Sequence, residues 1–310
     1  MALLGTRYLD PVTISRLKNI EIKARMIVEG FLMGLHKSPF HGFSVEFAEH
    51  RPYNPGEPLR NIDWKIFGKT ERLYTKRYEE ETNLRCQVIL DTSDSMRYPQ
   101  NGISKLEYGA YLAASLQYLM QLQKDASGLA LFDSQITFYH PPRVKPTALL
   151  PMLAKLEQVV QEKNVFTHRT ATEDVLHQLA QKINRRSVVV LISDLFSQNP
   201  NFEALFPALQ HLRHQKDEVI IFQLLEFDTE FMFNFPDQPL IIKDLETGEE
   251  LNVVPQQIRQ AYQEQMKSRQ QLIRKKCLEY QIDYVEVDIQ KPFDRALQEY
   301  FIRRQSLIRR

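Results

Sequence analysis

Asp91, Ser93 and Ser95 close the run RCQVILDTSDSM, placing a carboxylate and two hydroxyls at alternate positions just after an apolar stretch. Hard oxygens in this pattern suit a hard cation such as Mg²⁺, which takes one or two carboxylates and completes its octahedron with neutral oxygens and water. The same residue types also suit a turn in which Ser and Asp cap the next helix, and these residues alone favour that reading. Two later stretches bear on the choice. SVVVLISD, 187–194, is a continuous apolar run ending in Asp194. That is the pattern of a parallel strand buried on both faces with an acid at its carboxyl end. Thr170 opens TATEDVLHQLA, where Val175, Leu176 and Leu179 mark a helical face. It is either an ordinary N-cap or a further oxygen donor, with Thr172 as its competitor.

Positioning these residues requires strands whose carboxyl ends share one edge. Cys86 to Leu90 predicts the first, and KLEYGAYLAASLQYLMQLQKD predicts a helix with Leu106, Ala110, Ala113, Leu116 and Met120 on one face. ASGLALF returns as a strand, and strand, helix, strand implies a right-handed parallel crossover. Ile136 to Tyr139 reads as a short edge strand, cut off by Pro141, Pro142 and Pro146 before a helix over 148–160. Helices over 171–183 and 202–214 flank the 187–194 strand, and EVIIFQLLE, 218–226, is another buried strand. Aromatic residues at 227, 231, 233 and 235 precede a hairpin with Thr247-Gly248 at its turn, either an insertion over 227–254 or an edge hairpin of the sheet. A long helix from Pro255 to Tyr280, a strand over 283–287 and a closing helix over 296–308 complete the alternation. The expected fold is α/β, a doubly wound, mostly parallel, Rossmann-like sheet over 85–310. Ahead of it stand an amphipathic helix within 1–40 and a small strand-rich module over 41–84.

Composition narrows the function classes. The chain has 310 residues, 43% hydrophobic and 25% charged, enough for one large domain and a smaller one. A formal charge of +1 gives no general pull toward nucleic acid or membranes. In the 41–84 module Arg51, Arg60, Lys65 and Arg72 interleave with Tyr53, Trp64 and Tyr74, but acids such as Glu46, Asp63 and Glu79 nearly balance them. Packing of Trp64 and its neighbours on the main domain is the expectation, not nucleic-acid binding. Cys86 and Cys277 read as buried thiols of a reducing compartment, the cytosol. No stretch reaches the ~20 apolar residues of a membrane span. There is no P-loop, so any ATPase would be a partner. A Ser-His-Asp hydrolase could be composed from Ser95, His168 or His177 and Asp194, yet no nucleophile elbow frames Ser95.

Asp-x-Ser-x-Ser, then Thr170 before a helix, then Asp194 after a Val-rich strand resembles the metal-ion-dependent adhesion site of von Willebrand factor A domains. The succession Glu46-Phe47, Arg51-x-Tyr53, Pro55-Gly56, Arg60-x-Ile62-Asp63-Trp64, with Ser193-Asp194-Leu195-Phe196 and Asp244-Leu245-Glu246-Thr247-Gly248 later, resembles the fifty-eighth domain-of-unknown-function family. Glu57-Pro58 after Gly56, and Arg169 before Thr170, depart from its usual pattern. The resemblance implies a von Willebrand factor A-like fold and a metal site at Asp91, Ser93, Ser95, Thr170 and Asp194, holding Mg²⁺ or else Mn²⁺ or Ca²⁺. It further implies a non-enzymatic adaptor that works with a MoxR-type AAA+ ATPase on a client protein. A metal-assisted phosphoester hydrolase is the alternative.

Overall fold

The computed structural model describes residues 10–17, 19–36, 51–52, 67–68, 72–75, 84–99, 101–162, 172–183, 187–196, 205–214, 218–243, 250–298 and 300. In chain order, helices α1 (Pro11–Ser15) and α2 (Ile20–His36) precede a two-stranded antiparallel ribbon of β1 (Arg51–Pro52) and β2 (Tyr74–Thr75). Then follow β3 (Arg85–Asp91), α3 (Lys105–Leu122), β4 (Ala126–Phe132), β5 (Ile136–Arg143), α4 (Leu149–Gln161) and α5 (Thr172–Lys182). The chain continues through β6 (Val188–Ser193), α6 (Leu205–His214), β7 (Glu218–Leu225) and a π-helical turn at Phe227–Phe231. A hairpin of β8 (Leu240–Lys243) and β9 (Glu250–Val253), α7 (Pro255–Glu279) and β10 (Asp283–Asp288) come last.

Six strands form the central sheet in the order β10-β7-β6-β3-β4-β5. Pairing is parallel from β10 to β4, and only β5 runs antiparallel. Period-two alternation divides the side chains between two apolar layers. Val88, Leu90, Val190, Ile192, Phe222 and Leu224 face a layer shared with α2, α3 and α4. Ile89, Val189, Leu191, Val219 and Ile221 face α5, α6 and α7. Because both faces are covered, β6 reads as an unbroken apolar run and every one of its residues is buried. Each such Val, Leu or Ile contributes about 1.5–3 kcal/mol relative to exposure.

One expectation meets the structure differently. β5 does not stop at Tyr139 but continues through Pro141 and Pro142 to Arg143. As an edge strand with a register shift opposite Ser127 and Leu129, it tolerates residues that lack an N–H. The β8–β9 hairpin is a separate two-stranded sheet, not an edge of the main one. Helix α6 is described over Leu205–His214; residues 202–204 of the expected helix lie outside the described residues. Cys86 and Cys277 are both buried, and neither is in a disulfide among the described residues. Of the 41–84 module, Phe43 to Phe47, Tyr53 and Trp64 lie outside the described residues, as does the end of the closing helix. No helix among the described residues is long and apolar enough to cross a membrane.

Candidate functional site

Parallel pairing of β3, β6 and β7 brings their carboxyl ends to one edge, so Asp91 and Asp194 become neighbours in space. Asp91 is the last residue of β3 and is 1% exposed. Its Oδ1 accepts from the Ser93 backbone N–H at 2.9 Å, and its Oδ2 accepts from the Ser193 hydroxyl at 2.7 Å. Ser93 and Ser95 stand with their hydroxyl oxygens 3.1 Å apart at the mouth of a short 3₁₀ turn, Asp94–Arg97. The side chain of Ser93 makes no capping hydrogen bond to that turn.

Asp194 follows β6 and is also fully buried, but its surroundings differ. Its Oδ1 accepts from the Phe196 N–H at 2.9 Å, and its Oδ2 pairs at 2.8 Å with the ammonium of Lys105, the first residue of α3. Lys105 Nζ also reaches Glu230 Oε1 at 2.5 Å, linking the site to the π-helical turn. Between Asp194 and Phe196, Leu195 adopts a positive φ of 57°, a conformation costing an ordinary L-residue roughly 1–2 kcal/mol. It is held there by Ser193 Oγ, which accepts from the Leu195 N–H at 2.9 Å, and by Arg269 of α7, which donates to the Leu195 carbonyl at 2.7 Å. The Arg269 guanidinium lies 4.5 Å from the centre of the Phe196 ring.

The electrostatics separate the two acids. Burial first, and then the neighbouring Asp194 charge, push the Asp91 carboxyl up to about 6, against the opposing hydrogen bonds from Ser193 and Ser93. Burial opposes the Lys105 charge, yet Asp194 and Glu230 hold its ammonium above the ordinary lysine value. Burial raises the Glu230 carboxyl in spite of Lys105. Among the described residues no cation pairs with Asp91.

The arrangement fits a hard divalent cation in its chemistry. A buried, uncompensated carboxylate stands beside two hydroxyls, and all the donors are oxygens. No group of three His, Cys, Asp or Glu side chains among the described residues is placed to hold a metal ion, so any such site rests on hydroxyls and water as well as carboxylate. The structure thus brings Asp91, Ser93 and Ser95 together and sets Asp194 beside them on Lys105. Thr170 lies outside the described residues, and Thr172 begins α5 with its side chain likewise outside them. His168 is also outside them. His177 faces His211 at 3.0 Å between Nδ1 atoms, and no described histidine is hydrogen-bonded to Ser95.

Sequence reasoning missed Lys105, Ser193, Glu230 and Arg269. Lys105 did carry a signal. It sits in the first turn of a helix, where the macrodipole disfavours a cation, so a partner had to compensate it.

Residues 49–272 match the family described as "Protein of unknown function DUF58". The chain belongs to this family. Two uncharacterized proteins, of Mycobacterium bovis (strain ATCC BAA-935 / AF2122/97) and Mycobacterium tuberculosis (strain CDC 1551 / Oshkosh), are each 24% identical to this DUF58 protein over 192 residues. The matches cover 60% of this chain and 58% of each relative, so the chain spans less than two thirds of their length. Among solved structures, an aerotolerance-related membrane protein from Bacteroides fragilis NCTC 9343 aligns at a TM-score of 0.43 and 16% identity, over 70% of this chain and 97% of that one. The conserved hypothetical protein BatB from Bacteroides thetaiotaomicron aligns at 0.40 and 15%, with the same coverage.

Proposed function

We propose that this DUF58 protein is a metal-dependent protein-binding adaptor with a von Willebrand factor A-like site at the carboxyl edge of its sheet. The observation that carries the reading is Asp91, a fully buried carboxylate with no cationic partner among the described residues, next to the paired hydroxyls of Ser93 and Ser95. Mg²⁺ is the preferred ion, with Asp91 as the anionic anchor and Ser93 and Ser95 as neutral donors; Thr170 or Thr172 is the remaining candidate donor. When bound, the ion would offer an open position to a carboxylate of a partner protein. Ser193 and the Ser93 N–H fix the Asp91 carboxylate in place, and Lys105 neutralises Asp194. With its charge already paired to the Lys105 ammonium, Asp194 suits contact through water better than direct ligation.

The family resemblance supplies the partner class, a MoxR-type AAA+ ATPase acting on a client held by this protein, in the cytoplasm. Recovery of that ATPase on immobilised protein, with Mg²⁺ or EDTA, tests the reading. Recovery should fall in EDTA, fall strongly for Asp91→Ala and fall less for Ser93→Ala. Equal recovery in every lane sinks it. Phosphoester hydrolysis that vanishes in Asp91→Ala would select the hydrolase instead.

A further inference from the structure

The amino-terminal edge of the sheet carries a different chemistry. Strands β3 and β4 begin there at Arg85 and Ala126, and antiparallel β5 ends there at Arg143, which pairs with Ser127. From Arg85 to Asp91 the strand spans about 20 Å at its usual rise, so this edge is remote from the Asp91 site. A cavity of about 740 Å³ opens there. Arg85, His140, Arg143, Lys145 and Thr147 give it polar atoms; the other lining residues are alanine, proline and Val144. Among the described residues no carboxylate lines it. Arg85, Arg143 and Lys145 are exposed, and none of them joins an ion pair among the described residues. In a chain of net charge +1, three cations without an ion-pair partner among the described residues on one concavity raise the local potential for anions.

The wall is built into the sheet. A Cβ on Gly128 would lie 2.7 Å from both the His140 carbonyl oxygen and the Pro142 nitrogen, so only glycine lets β5 approach this closely. The register shift at this point redirects the strand as bulges do, and Arg143 follows directly after it. Guanidinium groups match phosphoryl oxygens two at a time, whereas lysine acts as a point charge. The volume lies within the roughly 300–1,000 Å³ of small-molecule sites, larger than a bare anion needs, and the apolar lining suits the rest of such a ligand.

We infer that this cavity binds a small organic phosphate, with Arg85, Arg143 and Lys145 on the phosphoryl oxygens and Val144 with the prolines against the ligand's body. A free nucleotide and a phospholipid headgroup share that chemistry. Calorimetry on the full chain separates them. Adenosine monophosphate is titrated against adenosine, and dihexanoyl phosphatidate below its micelle concentration against dihexanoylglycerol. At least one phosphate should bind 10-fold or more tightly than its phosphate-free counterpart. Preference for the nucleotide or for the phosphatidate identifies the source. Arg143→Glu and Lys145→Glu, both exposed and so expected to fold normally, should each weaken that binding at least 10-fold. Lys267→Glu, an equal charge change at an exposed position of α7, should not. No phosphate-dependent binding in either pair, or equal affinity in all three variants, overturns the inference.

Discussion

The ends of β3 and β6 begin from the same material, an apolar strand delivering a buried aspartate, and finish with opposite electrostatics. Asp194 is compensated by Lys105, which in turn binds Glu230. Among the described residues Asp91 is met by the Ser193 hydroxyl and by Ser93, and by no cation. One acid therefore serves as part of the scaffold, while the other keeps an unspent negative charge at the sheet edge. The difference arises from α3, whose first residue reaches one strand end and not the other.

The largest expected effect comes from erasing that difference on the Asp194 side. Lys105→Met leaves two acids crowded in the interior without their cation. Removing one partner of a buried pair costs about 3–5 kcal/mol. Urea denaturation of this variant should show a loss of that size, and Lys105→Met combined with Asp194→Asn should recover part of it. A single variant as stable as wild type would mean that the pair contributes nothing.

The second effect lies on the Asp91 side. Its carboxyl sits near pH 6 in the folded protein against 3.8 for an ordinary aspartate. Folding therefore favours the protonated form. This contribution is fully present below about pH 4 and disappears as pH rises through about 6, amounting to about 3 kcal/mol across the window. Asp91→Asn keeps the shape and removes the charge. In EDTA it should match wild type near pH 4 and exceed it by up to about 3 kcal/mol at pH 7. A difference that does not change with pH would show that the Asp91 charge is compensated after all.

A third, somewhat smaller, effect sharpens the contrast from the other direction. If the unspent charge is for a cation, MgCl₂ at 100 times its dissociation constant should stabilise wild type by about 2.7 kcal/mol. Asp91→Asn should gain nothing. Equal melting-temperature shifts in both proteins would place the ion elsewhere.

How far the sequence disclosed this site depends on range. β3, β6 and β7 were legible because strands covered on both faces must be continuously apolar, and their terminal acids stood out against that run. The parallel order then follows from the alternation with helices. The 3.6-residue periodicity of α3 was equally legible, but it reports a buried face and not what a terminal side chain touches. Lys105 finds Asp194 and Glu230 across 89 and 125 residues, contacts that no local pattern encodes. Glu230 was further hidden because an aromatic-rich stretch reads as a loop, whereas residues 227–231 form a π-helical turn. The prolines of β5 misled for a related reason. A missing N–H ends a central strand, but an edge strand with a register shift absorbs it.

The smallest effect concerns how each strand end is tied to the π-helical turn. On the Asp194 side the tie is the Lys105–Glu230 ion pair. On the Asp91 side it is a single pair of hydroxyls, Tyr98 Oη and Thr229 Oγ1, 2.5 Å apart, with Tyr98 just beyond the 3₁₀ turn that carries Ser95. Tyr98→Phe removes that bond and leaves no orphan, because Thr229 keeps its hydrogen bond to the Glu226 carboxylate. A neutral hydrogen bond lost in this way costs about 0.5–1.5 kcal/mol. Thermal unfolding should therefore place Tyr98→Phe well above Lys105→Met in stability. Its response to MgCl₂ should stay at the wild-type level, since no oxygen beside Asp91 has been removed. If Tyr98→Phe instead unfolds as readily as Lys105→Met, the two ties are equivalent and the asymmetry between the strand ends does not extend to the turn.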